Sequence, residues 1–419
     1  MIKRVILPLL EEHLLVQEVM TIITGPRQAG KTYLMRVLEN KLKEKGEKTL
    51  YLNLDFDEQF PLFASQGKLI DYIKLQVGEG KAYIFIDEIQ RKENAELFLK
   101  GLYDMRLPYK FVLSGSGSLE LKSKIPESMA GRKRFFTLNP LSFAEFVNAK
   151  TNYRYEGKLA DFFRIEQRQT QSLFDEYMMY GGYPRVVLAD TIDKKRAEME
   201  DIYTSYIERD IKNFLDVAKP EAYTNLVKIL AAQIGNLVNT TELSSTIGIA
   251  DKTAQHYLWY LEKTFVLTKV TPFYRNVRSE ITKAPIYYFV DSGLRNFMLG
   301  LFGLPSIPSS LTGHLFENII FNMLREDITA SPTEIHFWRT RDQAEVDFVL
   351  ETGLNIVPVE AKHTRLQQPE VTRSFRNFLL KYKPGKGYIV HLGEKFETEV
   401  AGSVIYTIPF FDTRTIAKV

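Results

Sequence analysis

Gly25-Pro26-Arg27-Gln28-Ala29-Gly30-Lys31-Thr32 is the stretch on which the reading of the fold turns. Its spacing is G-x-x-x-x-G-K-T. The glycines let backbone N–H groups curl around a phosphate, Lys31 reaches the β- and γ-oxygens, and the Thr32 hydroxyl is suited to ligate magnesium. The flanks are those such a loop requires. The apolar run Thr21-Ile22-Ile23 precedes it, and Tyr33, Leu34, Val37 and Leu38 follow at helical spacing, so a helix N-terminus points at the same anion. Gly25, Pro26, Arg27, Gln28, Ala29, Gly30, Lys31, Thr32 and Tyr33 are the expected contacts of ATP, with Mg2+ as the accompanying ion. A chance match in a glycine-containing loop would lack this context.

Working outward, the first 150 residues alternate short apolar runs with amphipathic stretches. Val19–Thr24, Thr49–Leu54, Ala82–Ile86 and Phe111–Leu113 read as strands buried on both faces, as in a parallel sheet covered by helices. The spacing predicts helices over Lys31–Lys43 and Ala95–Met105. The expected class is therefore α/β. Ala82–Ile86 runs into Asp87-Glu88. Asp87 would hold the metal through water, and Glu88 would orient or deprotonate the attacking water. Taken alone, an Asp-Glu pair at a strand end is equally a helix cap. Phe111–Leu113 leads into Ser114-Gly115-Ser116-Gly117-Ser118. A polar residue at that tip would touch the γ-phosphate. Ser116 is the expected one and Ser114 the alternative, against a plain turn. Arg132 would neutralise transition-state charge, in cis or from a neighbouring subunit of a homo-oligomer. The competing reading is a solvated basic loop.

These residues carry a resemblance. The order G-P-R-Q-A-G-K-T, F-I-D-E-I-Q, L-S-G-S-G-S, A-G-R and L-N-P-L-S-F-A-E-F resembles a large prokaryotic group of AAA-type P-loop ATPases with Walker A and Walker B motifs. The rest of the chain resembles the C-terminal region that follows this module, through Gly181-Gly182-Tyr183-Pro184, Tyr206-Ile207-Glu208-Arg209-Asp210-Ile211 and Tyr288-Phe289-Val290-Asp291-Ser292-Gly293-Leu294. The resemblance implies ATP hydrolysis; the C-terminal pieces imply no chemistry.

The 419 residues suit two to four domains. The expected divisions are 1–150 for the ATPase, 151–215 for a helical segment, 216–303 for a winged helix and 304–419 for a nuclease-like domain. With no cysteine in the chain, disulfides, thiol catalysis and cysteine-ligated zinc are excluded. A net charge of +3 neither demands nor excludes nucleic acid. No run approaches the length of a membrane span, and the N-terminus lacks the apolar core of a signal peptide. The expected location is the cytoplasm.

Thr241–Ile247, a turn at Gly248, and a helix from Asp251 with Ala254, Tyr257, Leu258 and Leu261 on one face read as a helix-turn-helix. Asp251 is the expected N-cap. The opposite face would present Thr253, Gln255, His256, Tyr260 and Lys263. Two strand-like runs follow, joined by a loop with Arg275, Arg278 and Lys283. The order resembles a winged helix whose basic loop would meet DNA phosphates. The rival is a protein-contact module.

In the last region Glu317 sits on a helical pattern, Asp347 on an alternating strand, and Glu360 and Lys362 on the next strand. The Asp…Glu-x-Lys order resembles PD-(D/E)xK nucleases. That resemblance implies a divalent metal held by Asp347 and Glu360, completed by Glu317, with Lys362 on the water. The rival is a structural salt bridge or an inactive nuclease fold. Three roles therefore compete: an ATP-gated DNA-processing enzyme, an ATP-dependent regulatory switch without cleavage, and a protein-remodelling ATPase.

Overall fold

A computed structural model describes residues 2–16, 19–115, 131–210, 220–274, 284–328, 331–340 and 342–416. The chain divides into two compact units. One comprises Met1–Leu141 with Trp259–Val266, and the other Ser142–Leu258 with Leu267–Val419.

The first unit contains α1 (Leu7–Val16), β1 (Met20–Thr24), α2 (Lys31–Glu44), β2 (Thr49–Asn53), α3 (Gln66–Val77), β3 (Ala82–Asp87), α4 (Ala95–Asp104), β4 (Tyr109–Ser114) and β5 (Lys133–Thr137). The five strands form one sheet in the order β2-β3-β4-β1-β5, and every pairing is parallel. Successive strand residues point to opposite faces. Ile22, Ile84, Ile86 and Leu113 therefore pack with Leu69, Ile73 and Leu99 on one side. Ile23, Tyr83, Phe85 and Val112 pack with Leu34, Met35 and Leu38 on the other. This is the P-loop NTPase arrangement expected from the apolar runs. Because β4 lies between β1 and β3, its C-terminal tip is next to both the phosphate loop and the Asp87-Glu88 pair.

The second unit begins with helices α5 (Phe143–Lys150), α6 (Leu159–Ile165), α7 (Gln167–Tyr180), α8 (Pro184–Leu188), α9 (Ile192–Asp210), α10 (Pro220–Ala232) and α11 (Thr240–Ile247). Next come α12 (Asp251–Lys263), which belongs to this unit up to Leu258, an antiparallel pair of β6 (Leu267–Val270) and β7 (Ile286–Phe289), α13 (Ser292–Met298) and α14 (Ser309–Asp327). The chain ends in a mixed six-stranded sheet. Its strands are β8 (Glu334–Arg339), β9 (Glu345–Thr352), β10 (Asn355–Ala361), β11 (Lys386–His391), β12 (Phe396–Val400) and β13 (Ser403–Pro409), with α15 (Arg373–Tyr382) between β10 and β11. The order is β12-β13-β11-β10-β9-β8.

The expected divisions at 150, 215 and 303 are finer than this grouping into two units. Residues 143–150, expected in the ATPase domain, pack with the second unit. The Phe143 ring lies 5.5 Å from Phe163, 5.5 Å from Phe174 and 5.6 Å from Phe410. Such contacts add to the burial of large apolar area, and they knit the helical segment to the C-terminal region. Arg275, Arg278, Lys283 and Ser116 lie outside the described residues.

Candidate functional site: the phosphate loop and its carboxylates

β1 delivers the chain into a loop of special backbone conformations. Gly25 has φ +143°, and a Cβ there would lie 2.2 Å from the Leu138 carbonyl oxygen, so no side chain fits. Gln28 (φ +58°) and Gly30 (φ +98°) are also left-handed. Gly30 caps α2, whose first residues are Lys31, Thr32 and Tyr33. Thr32 is exposed, as a ligand-facing hydroxyl must be. Tyr33 is exposed beside it, and Arg27 is half-buried. The Arg4 guanidinium braces the loop from behind, donating to the carbonyls of Ala29 (3.0 Å) and Asn139 (2.6 Å).

Lys31 is buried, and its ammonium donates to the carbonyls of Gly25 (2.9 Å) and Pro26 (2.7 Å). Burial lowers its pKa to about 8, against the opposing pull of Glu88 and Asp87. A buried cation whose two hydrogen bonds go to neutral carbonyls is an incomplete arrangement, and a polyanion completes it. The donor set fits a nucleotide phosphate with a hard cation. Loop N–H groups and Lys31 suit phosphate oxygens, and the Thr32 hydroxyl and Asp87 suit magnesium.

Asp87 ends β3 fully buried. Its Oδ1 accepts from the Ser114 hydroxyl and from the Glu88 N–H (3.2 Å). Its Oδ2 accepts from the Tyr51 hydroxyl (2.8 Å). Burial first, then the Asp87 charge, raises the Tyr51 pKa and keeps the phenol a donor. Glu88 has φ +56°, a strained conformation for a residue with a side chain, of the kind that clusters at functional sites. Its carboxylate accepts from Gln90. Burial raises its pKa, while nearby Lys31 opposes the shift.

At the β4 tip, Ser114 rather than Ser116 is the described polar residue, and it touches Asp87. Arg132 lies away from the phosphate loop. Its carbonyl accepts from Met20 N–H at the start of β1 (2.9 Å), whereas the phosphate loop leaves the end of that strand. Five residues of strand separate them, roughly 16 Å at 3.3 Å per residue. Its guanidinium pairs with Asp104 at 3.1 Å. A role in cis on its own loop is ruled out by that distance.

The C-terminal residues also come together. β9 and β10 form an antiparallel hairpin, and the Ala361 N–H donates to Asp347 at 2.7 Å. Burial, then the charges of Glu317 and Glu360, raise the pKa of Asp347 far above the usual carboxylate range. Burial likewise raises Glu360. The metal shell expected from Glu317, Asp347 and Glu360 is not met. Among the described residues no three His, Cys, Asp or Glu side chains are placed to hold a metal. The carboxylates are answered by protein donors instead. Glu317 accepts from Tyr288 and is 3.1 Å from His314 Nδ1, and Glu360 accepts from Thr372 (3.1 Å). Lys362 pairs with Glu370 at 3.5 Å.

In the middle region the two helices and the turn at Gly248 (φ +69°) form where expected. Two details differ. Asp251 accepts from Thr241 (2.9 Å) and Ser244 in the preceding helix, so it ties the pair together. Tyr260, expected on the presented face, is buried.

Two of the motifs that carried the C-terminal resemblance, Gly181-Gly182-Tyr183-Pro184 and Tyr288–Leu294, meet at one point. Buried Asp291 accepts from Gly182 N–H (2.7 Å) and Leu294 N–H (2.8 Å). Burial raises its pKa to about 6. A Cβ on Gly181 would lie 2.2 Å from Asp291, and one on Gly293 would lie 2.1 Å from the Tyr180 carbonyl oxygen. Asn296 donates to Met178 and Met179, both at 3.0 Å.

Comparison with known proteins agrees with the first unit. Residues 17–147 match a family model described as an AAA domain. Residues 171–304 and 312–411 match two models described as domains of unknown function, DUF8612 and DUF4143. An uncharacterized protein of Haemophilus influenzae is 28% identical over 401 residues, covering 92% of each chain. One from Mycobacterium tuberculosis is 27% identical over 381 residues, covering 89% of this chain and 76% of its own. Among solved structures, Orc1 of Aeropyrum pernix in complex with DNA aligns with TM-score 0.31 and 11% identity, covering 70% of this chain and 91% of that one. AMPPCP-bound DnaA from Aquifex aeolicus aligns with TM-score 0.27 and 14% identity, covering 61% and 86%. Scores this low leave the ligands of those proteins with those proteins. Among the described residues, no helix is long and apolar enough to cross a membrane. Residues 17–147 thus match the AAA domain model and, with the five-stranded parallel sheet and its loop, have the P-loop NTPase fold.

Proposed function

We propose that this chain binds MgATP at Gly25–Tyr33 and hydrolyses it, and that it works as a nucleotide-dependent switch without DNA cleavage. The observation that carries the first part is the buried Lys31 ammonium, which is bonded to loop carbonyls and lies within the field of Asp87 and Glu88. The loop N–H groups and Lys31 bind the phosphates. Thr32 and Asp87 hold the metal, which when bound neutralises charge on the phosphate oxygens. Glu88 accepts the proton of the attacking water, a role that its raised pKa brings closer to neutral pH. Ser114 takes the sensing position. Arg132 acts in trans, on the site of a second copy. The test of the reading is Glu88→Gln, which should retain nucleotide affinity and lose phosphate release. A variant that hydrolyses as fast as the parent overturns it.

The reading without cleavage is favoured over a nuclease because protein donors engage the C-terminal carboxylates. Duplex DNA added to the same assay separates two kinds of switch. Stimulation that is lost when Arg275, Arg278 and Lys283 are neutralised assigns the winged-helix region to DNA. No stimulation assigns it to protein contacts.

A further inference from the structure

Asp87 is expected to hold a metal through water, and such a carboxylate works only in one orientation. A strand-end side chain does not have that orientation by itself, because it turns about its last torsion. The structure supplies it from both sides. Ser114 and the Glu88 N–H both donate to Oδ1, and the Tyr51 hydroxyl donates to Oδ2 at 2.8 Å. Each oxygen has two lone pairs, so both on Oδ1 are engaged and one on Oδ2, beside the Tyr51 hydroxyl, stays available to a metal-bound water.

Tyr51 is itself held. It sits in the middle of β2, opposite Phe85 of β3, with the two rings stacked 6.1 Å apart at 14°. The Arg36 guanidinium also lies over the ring, 3.3 Å from its centroid. Arg36 is fixed in turn by Glu39 at 3.0 Å. Arg36 belongs to α2, the helix that begins at Lys31. The phosphate-loop helix and the metal carboxylate are therefore linked through one phenol.

We infer that Tyr51 is a positioning residue that orients Asp87 for the metal–nucleotide complex, with Arg36 holding the ring in place. This rests on the proposed MgATP site. Outer partners of metal-binding carboxylates commonly change metal affinity by about 10-fold or more when removed. Tyr51→Phe removes the hydroxyl and leaves the stacked ring.

The experiment measures two quantities on the full chain. The first is ATP hydrolysis against free Mg2+ at saturating ATP. The second is nucleotide affinity with EDTA and with Mg2+. In Tyr51→Phe the half-saturating Mg2+ should rise by about 10-fold. Turnover should recover at high Mg2+, and affinity in EDTA should match the parent. A merely structural role would lower turnover and EDTA affinity together and leave the Mg2+ midpoint in place. A Mg2+ titration that superposes on the parent's overturns the inference. If the parent binds MgATP without hydrolysing it, the ATPase reading fails alone, and the gain in affinity with Mg2+ still decides on Tyr51. Should Tyr51→Phe not fold, Arg36→Gln keeps the hydroxyl but frees the ring. An unshifted Mg2+ midpoint there overturns the inference equally.

Discussion

Asp291 and Gly182, 109 residues apart in sequence, are joined by a 2.7 Å hydrogen bond from the Gly182 N–H to the Asp291 carboxylate. The other carboxylate oxygen caps α13 through Leu294. Asp291→Asn would turn an amide NH2 toward one of these two backbone donors and leave it unanswered. A buried donor without an acceptor costs about 1–3 kcal/mol. The melting temperature at neutral pH should fall, with ATP affinity of the first unit retained. Gly293→Ala, which meets the Tyr180 carbonyl, should be worse. Circular dichroism melts of the three proteins check the order.

Lys31→Ala and Glu88→Gln should fail differently. The first removes the buried ammonium that meets the phosphates and should weaken nucleotide binding by 10-fold or more, the loss of about 1.4 kcal/mol or more. The second keeps shape and hydrogen bonding and should bind ATP yet release little phosphate. Paired measurements of affinity and turnover distinguish the two.

The Lys31 pKa, lowered to about 8 by burial, predicts a pH dependence. A bound polyanion favours the charged ammonium and raises that pKa again. Binding above pH 8 therefore takes up a proton, and nucleotide affinity should fall as pH rises beyond 8 while staying flat just below it. Calorimetry in buffers of different ionisation enthalpy reads the proton directly. Affinity that is constant through pH 9 would contradict the assignment.

Asp347 makes an opposite case to a metal ligand. Its folded pKa lies far above the unfolded value, chiefly through burial and then through Glu317. The stability tied to its proton is fully present below the unfolded pKa and is lost as pH rises through the folded one. Asp347→Asn keeps an acceptor for the Ala361 N–H and removes the repulsion. It should be neutral or stabilising at pH 7, and stability should fall less with pH than in the parent. Millimolar Mg2+ or Mn2+ should leave the melting temperature of the parent's second unit unchanged. A metal-induced rise that Asp347→Asn abolishes would restore the metal site.

The phosphate loop and Asp87-Glu88 were legible because their chemistry is local. A loop that wraps phosphate uses consecutive backbone N–H groups, so its residues must be neighbours in sequence. Strands β1, β3 and β4 were legible for a similar reason, since burial on both faces forces continuous apolar runs, whereas β2 lies at the sheet edge with only Leu52 buried. Edge strand β5 (Lys133–Thr137) runs two charges, Lys133 and Arg134, into two aromatics and gave no such run.

The rest depends on residues distant in sequence. Nothing local marks Tyr51 as the partner of Asp87; strand order and register bring them together. Nothing in Met129–Arg134 says at which end of β1 Arg132 will lie, and the parallel pairing with β5 places it far from the loop. Phe143 lies in the L-N-P-L-S-F-A-E-F stretch that resembled the ATPase group, and only the tertiary structure shows its ring packed on Phe174 and Phe410. The sequence by itself determined a P-loop with an acidic strand tip, because those features are made by neighbouring residues. The tertiary structure alone decided which hydroxyls hold Asp87, that Asp291 ties Gly182 to α13, and that protein donors engage the C-terminal carboxylates. Each of those depends on which faces pack together, and a periodic pattern specifies a face without naming its partner.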